Sequence, residues 1–459
     1  MKKLIIMLSL TLLVQLAFQS CKTKPASNAK ANYPEWAKNA VIYEVNVRQY
    51  TPQGTFNAFG EHLDRLKDLG VDILWFMPVH PIGEKNRKIP DGMTSSLGSY
   101  YSVKDYKGIN PEFGTMDDFK KLVTKAHDMG FKVIIDWVAN HTAWDNEWMI
   151  NHPDWYAKDS LGNTISPFDW TDVAKLDFNN KEMRAAMIDA MKFWVDSVNI
   201  DGFRCDVAGE VPVDFWNEAR TTLEKVKPVF MLAEEEGHYN FYDTAFTVGY
   251  GWGMHHIMHD VAQGKDSVIS IVKQVMKNDT LMGKSGSQMN FITNHDENSW
   301  NGTAKEKFGD GENVFAVLTY TLPGMPLIYS GQEAGLDHRL QFFVKDSINW
   351  KLADYSAFYK TLNDLKHSND ALWMKPLGGT FEQIKNSQPK QVLSFPRKNG
   401  KSKVLVIANL SNAPVTVKLL TDKADDEYTD VFKKQQLTIS NLNQEISLPA
   451  WGYWLLEKK

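Results

Sequence analysis

Between residues 40 and 375, short apolar runs rich in β-branched and aromatic side chains alternate with longer stretches whose apolar residues recur at i, i+3 and i+4. The short runs lie at 41–47, 72–78, 131–137, 201–207, 228–234, 289–296 and 325–331, with a weaker one at 242–248 filling the gap before the seventh position. The helical period is clearest at 116–130 and 181–198. Strand-length runs separated by amphipathic helices call for a parallel sheet. Eight of them predict a closed (β/α)₈ TIM barrel, which leaves no strand at an edge. An open doubly wound sheet is the alternative, but no glycine-rich phosphate loop follows the first run.

Two departures divide the chain further. Residues 142–181 are rich in Trp, Asp, Asn and Pro without a long period, and read as a short excursion from the barrel after its third strand. Past residue 375 the helical period stops, and alternating runs at 391–397, 402–410, 413–419, 436–440 and 453–457 predict a C-terminal antiparallel β-sandwich over 376–459. The barrel is then expected over 33–375. Ahead of it, residues 1–20 put two lysines before about a dozen apolar residues, the pattern of a secretory signal rather than a membrane span. Ser20 before Cys21 is similar to a bacterial lipobox, which implies a lipid anchor on Cys21. Residues 21–32, polar and patternless, read as a tether. The lysines at 22 and 24 favour a periplasm-facing anchor over the cell surface. With Cys21 carrying lipid, Cys205 has no disulfide partner, and the fold must rest on its core.

Composition narrows the partners. Of 459 residues 43% are hydrophobic, enough for a large core, and a net charge of −5 gives no basic footprint for nucleic acid. The chemistry lies where the apolar runs end. In a parallel barrel the site gathers at the carboxyl ends of the strands, so polar residues terminating strands are the informative ones. Four endings qualify: Asp136, the pair Arg204 and Asp206, Glu234 within the acidic run 234–236, and Asp296. Strand alternation sends Arg204 and Asp206 one way, and Asn294 and Asp296 likewise. A guanidinium beside Asp206 is expected to hold it ionised as a nucleophile. A second acid among carboxylates is expected to keep its proton as a donor, and such a pair is the machinery of glycoside hydrolysis. Any one of these acids alone reads better as a helix cap; four in register do not.

On these same residues the chain resembles a known family. The segments "DWVANH" (136–141), "GFRCDVAGE" (202–210), "FMLAEEE" (230–236) and "FITNHD" (291–296) are similar, in order, to the four sequence regions of the α-amylase family of glycoside hydrolases, family 13. Accessory regions resemble 70–83, 101–106, 173–179 and 324–333, so the likeness runs from about residue 40 to 350. The resemblance implies Asp206 as nucleophile, Glu234 as general acid and base, and Asp296 as the third carboxylate. It implies His141 and His295 as hydrogen-bonders of the cleaved sugar, Tyr101 as its aromatic platform, and Arg204 as the partner of Asp206. Asp136 and Asn140 match positions that organise the site, and Asn140 is a candidate calcium supporter. Gly209 and Glu210 stand where many members carry a lysine and histidine on the leaving side. With the short excursion, this leaves few carboxylates for a calcium cage.

Three further features are weaker. His255 and His259 have the i, i+4 spacing that can hold zinc on a helix, without the usual acidic partner. Trp144, Trp148, Trp155 and Trp170 in the excursion are candidates for sugar stacking. Residues 341–350 resemble a segment of neopullulanase-like, oligosaccharide-active members. The whole reads as a secreted, envelope-anchored retaining glycosidase acting on α-glucan or maltooligosaccharides, with no cofactor required and calcium possible. Transglycosylases or isomerising relatives share the same carboxylates. A catalytically silent glycan-binding lipoprotein is the reading from another class, disfavoured because all three acids are present.

Overall fold

A computed structural model describes residues 33–283, 286–439 and 444–458; the expected signal, Cys21 with its expected lipid, and the expected tether fall outside these. Eight parallel strands close into a barrel in chain order. They are β1 (Ile42–Val45), β2 (Ile73–Phe76), β3 (Lys132–Trp137), β4 (Gly202–Cys205), β5 (Phe230–Ala233), β6 (Val248–Tyr250), β7 (Ser287–Asn290) and β8 (Met325–Tyr329). Outside the ring lie α1 (Leu63–Leu69), α2 (Met116–Asp128), α3 (Lys181–Asp196), α4 (Val213–Leu223), α5 (Trp252–Ala262), α6 (Val268–Leu281), α7 (Glu312–Thr321) and α8 (Ser356–Ser368). Local chemistry sets several boundaries. Thr115 and Asp118 form a reciprocal capping box at the start of α2, and the left-handed Gly70 ends α1.

The strands are apolar on both sides because both sides are covered. Ile42, Ile73, Trp75, Ile134, Leu232, Val248, Tyr250 and Leu327 fill the barrel interior. Phe76, Val133, Ile135, Phe203 and Met231 meet the helices in the larger outer core. Alternation carries the interior face upward along each strand: Ile42 is followed two residues on by Glu44, Ile134 by Asp136, and Leu232 by Glu234. The apolar interior thus becomes polar at the carboxyl mouth. Gly202 is required where β4 starts. Its φ is +153°, and a Cβ there would stand 1.9 Å from the Phe230 carbonyl oxygen.

Two strand expectations are corrected. The sixth strand is Val248–Tyr250 instead of 242–248, because residues Tyr239–Asp243 turn into a 3₁₀ helix. The seventh ends at Asn290, and Asp296 precedes a one-turn π-helix, Glu297–Asn301. Strand parity therefore does not orient Asn294 and Asp296; the turn does. The excursion after β3 holds an antiparallel pair, His141–Ala143 with Val173–Lys175. The C-terminal domain is antiparallel, a six-stranded sheet facing a two-stranded one across Ile384, Leu405, Ile407, Val417, Ile446 and Leu456. Three of its strands, Thr380–Phe381, Asp426–Asp430 and Glu445–Leu448, are short or charged and escape the alternation signal. Buried Arg397 ties this domain to the barrel by donating to the Thr321 carbonyl at the end of α7.

Candidate active site

Arg204 stands on β4 at the centre of the mouth, fully buried. Its Nη1 donates to Asp136 Oδ1 at 2.8 Å and to Asp206 Oδ1 at 3.1 Å. Its Nη2 lies 2.8 Å from Glu234 Oε1, an ion pair rather than an aligned hydrogen bond. Trp75, Tyr101 and Tyr250 surround the guanidinium, with ring centroids 5.3, 5.8 and 5.4 Å from it, and its Nε donates to the Tyr250 hydroxyl. One cation thus holds three carboxylates from three successive strand ends.

That sharing corrects the expected pKa logic. Burial and the neighbouring Glu234 push the Asp206 carboxyl well above the usual carboxylate range, against the pull of Arg204. Burial likewise lifts Asp136 to about 6, against Arg204 and His295. A single guanidinium divided three ways offsets burial only in part, so the charged forms of Asp206 and Asp136 are disfavoured.

A second chain of contacts runs through His295. Its Nδ1 donates to buried Glu44 Oε1 at 2.5 Å, and its Nε2 meets the Tyr101 hydroxyl at 2.6 Å. That hydroxyl in turn donates to Asp136 Oδ2 at 3.1 Å. Burial opposes a charge on His295, but Asp296 and Glu44 outweigh it and lift the imidazole to about 9. His141 is the opposite case: burial pushes it down to about 3, so it stays neutral. The Tyr101 ring stacks at 23° on His295 and at 8° on Phe342, forming the floor of the cleft.

Glu234, just past β5, accepts from the backbone N–H of Val207 at 2.8 Å. Val207 has a φ of +34°, a strained conformation for a β-branched residue, and it directs this N–H at the acid. The other two glutamates do separate work. Glu236 accepts from Gly253 N at 2.6 Å and from the amides of Gln274 and Gln288, tying the loop to the start of α5. Glu235 turns to His238 Nδ1 at 3.2 Å, and its Oε2 would lie 2.0 Å from a Cβ at Gly209. The glycine on the leaving side is therefore matched to a carboxylate reaching across from β5. Glu210 pairs loosely with Lys175 at 3.7 Å.

The predicted residues Tyr101, His141, Asp206, Glu234 and Asp296 line one cleft of about 360 Å³. Of the excursion tryptophans only Trp170 lines it; Trp155 is buried and Trp148 packs on it at 5.2 Å, so both are core. Trp144 donates Nε1 to the Thr171 carbonyl. Trp300, Phe342 and Phe343 form a further aromatic wall. Trp300 had no sequence signal beyond its nearness to Asp296, and Lys88, Ser99 and Asp172 had none. His255 is helical as the zinc reading required, but its Nε2 is taken up by Glu297 at 3.1 Å beside Lys307.

Asn140 is buried with Oδ1 lacking a hydrogen-bond partner, one oxygen of the kind calcium takes. Among the described residues, however, no group of three or more His, Cys, Asp or Glu side chains is arranged for a metal ion.

An aromatic floor under a carboxylate pair, sharing one guanidinium at the mouth of an eight-stranded barrel, defines a glycoside hydrolase. Residues 25–173 and 155–377 match the model of the alpha amylase catalytic domain, and residues 381–455 match the maltogenic amylase C-terminal domain. The chain belongs to the alpha-amylase family. It is 29% identical over 416 residues to alpha-amylase MalA of Haloarcula japonica, covering 86% of this chain and 59% of that relative's length. Among solved structures it is similar to the noncanonic maltogenic alpha-amylase AmyB of Thermotoga neapolitana, with a TM-score of 0.83, 29% identity and coverage of 92% and 99%. An alpha-amylase of Lactobacillus plantarum gives a TM-score of 0.80 at 29% identity, covering 92% and 100%.

Proposed function

We propose that the protein hydrolyses α-glucosidic bonds in starch-derived oligosaccharides with retention of anomeric configuration. The observation that carries this reading is the hold of Arg204 on Asp206 and Glu234 together, above the Tyr101 floor. A retaining pair stands about 5–5.5 Å apart, and two carboxylates on one guanidinium suit that spacing.

The bound sugar rests on Tyr101, with neutral His141 beside it as a hydrogen-bonder and cationic His295 behind the Tyr101 ring, where both its nitrogens are engaged by Glu44 and the Tyr101 hydroxyl. In the reactive form the retaining mechanism needs Glu234 to carry the proton it donates and Asp206 to be the anion. Asp206 attacks the anomeric carbon, the C–O bond to the leaving sugar breaks, and Glu234 gives its proton to the departing oxygen. Water then attacks the glycosyl–Asp206 ester while Glu234 takes back a proton, which frees Asp206. Arg204 steadies the carboxylate at both stages, and Asp296 holds the sugar as positive charge develops.

Proton NMR of the first products of maltoheptaose cleavage tests this: the α anomer must appear first. A β anomer at early times, or cleavage that survives Asp206→Asn, would refute it. Export and lipid attachment at Cys21 are proposed on the N-terminal sequence alone. Mass spectrometry of the mature N-terminal peptide checks them, and an unmodified cysteine rejects the anchor.

A further inference from the structure

The loop between β2 and α2 is closed at its base by a bridge between Ile82 and Val103. It rises as a strap over residues 84–99. Arg87 binds its two limbs together, donating to the carbonyls of Ile82, Gly83 and Ser96. On one side the strap is fastened to the excursion: Glu84 N donates to the Asp145 carboxylate at 3.0 Å, and Lys88 Nζ pairs with Asp172 Oδ1 at 3.5 Å. On the other side it is fastened to the loop after β8, where Leu97 N and Ser96 Oγ both donate to the Phe343 carbonyl, at 2.8 and 3.3 Å. Lys88, Asp172 and Phe343 all line the cleft that holds Asp206 and Glu234. The strap therefore spans the cleft from one wall to the other.

Barrel order says which end it spans. Its fastenings stand above β2, β3 and β8, while Glu234 stands at the end of β5, three strands round from β2. The acid must sit beside the breaking bond, and the leaving sugars depart past it. The wall across the β8–β1–β2–β3 side, next to the Tyr101 floor, thus meets the sugars that remain on the enzyme. We propose that residues 84–99, clasped by Lys88 and Asp172, close the glycone end of the cleft, so that the enzyme takes chains by their free non-reducing ends and releases short oligosaccharides. This rests on the α-glucan hydrolase reading above. Closure there gives specificity by exclusion: a group added at the non-reducing terminus collides with the strap, whereas length added on the leaving side does not.

The test compares p-nitrophenyl maltoheptaoside with the same substrate blocked at its non-reducing end by an ethylidene group, with full-length protein and sugar products resolved by chromatography. The blocked substrate is expected to react at least about tenfold more slowly in kcat/KM. Lys88→Ala, and a shortened strap with residues 89–94 replaced by two glycines, are expected to narrow that gap. Equal rates on the two substrates in the native protein would overturn the inference while leaving the hydrolase reading intact. No cleavage of either would overturn both. The native comparison stands even if the shortened strap fails to fold.

Discussion

Replacing Glu44 by Gln tests how the site keeps a cation against the Tyr101 ring. Glu44 is fully buried on β1 and accepts from His295 Nδ1 at 2.5 Å; glutamine keeps an acceptor of the same shape but removes the charge. The lift of His295 from 6.5 to about 9 corresponds to roughly 3 kcal/mol in favour of the imidazolium. Asp296 acts through its charge, and Glu44 through both its charge and its hydrogen bond, all against burial. The sign follows from the raised value. Stabilisation by the charged imidazole is fully present below pH 6.5 and is lost as pH rises through about 9. Glu44 partly offsets it, since burial also raises that carboxyl against the pull of His295, so the net contribution to stability is smaller than the shift of either group. The pH profile is therefore a sharper readout than the melting temperature. With Glu44→Gln, burial regains weight and the imidazolium titrates nearer neutrality. The alkaline limb of kcat/KM on p-nitrophenyl maltotrioside should then move down by at least about one pH unit, with the acid limb moving less. An alkaline limb that stays in place would refute the reasoning.

Glu234→Gln should abolish cleavage of natural glucans yet regain much of its rate on a glucosyl fluoride, whose leaving group needs no proton; Glu235→Gln and Glu236→Gln should each lose less than about tenfold. A dominant loss at Glu235 in kinetics on maltotriose would move the acid along the run. Gly209→Ala puts a methyl where Glu235 Oε2 stands, so the carboxylate must turn aside; KM for maltooligosaccharides should rise with folding intact by circular dichroism. Gly202→Ala drives a Cβ into the Phe230 backbone, and chemical denaturation should show a loss of at least about 3 kcal/mol or no folded protein at all.

Asp136, Arg204 and Glu234 were legible because the strand period is two and the interior is apolar: a polar residue two places after Ile134 or Leu232 must face the mouth. Asp296 is legible through its motif, but strand parity does not orient it, because β7 ends at Asn290 and a tight helical turn takes over. Trp148 and Trp155 look like sugar platforms in sequence, since a tryptophan in a loop carries no mark of whether it faces water or a neighbour. Packing against Tyr106 and against each other settles them as core. Trp300, Lys88 and Asp172 come from three separate segments, and only their convergence on one cleft gives them a role.

By itself the sequence determined the order of eight strands, the sandwich that follows, and the acids at the strand ends, because these depend on periodicity and on short local runs. The tertiary structure decided how charge is distributed among those acids. Arg204 is shared by three carboxylates, and Asp206 is raised instead of lowered, because burial and mutual repulsion are sums over neighbours brought from distant strands. It also decided what each glutamate of the run does. Glu234 takes the strained N–H of Val207, Glu235 fills the space over Gly209, and Glu236 anchors α5. Three identical, adjacent side chains carry no local difference, so only the surfaces they meet can distinguish them.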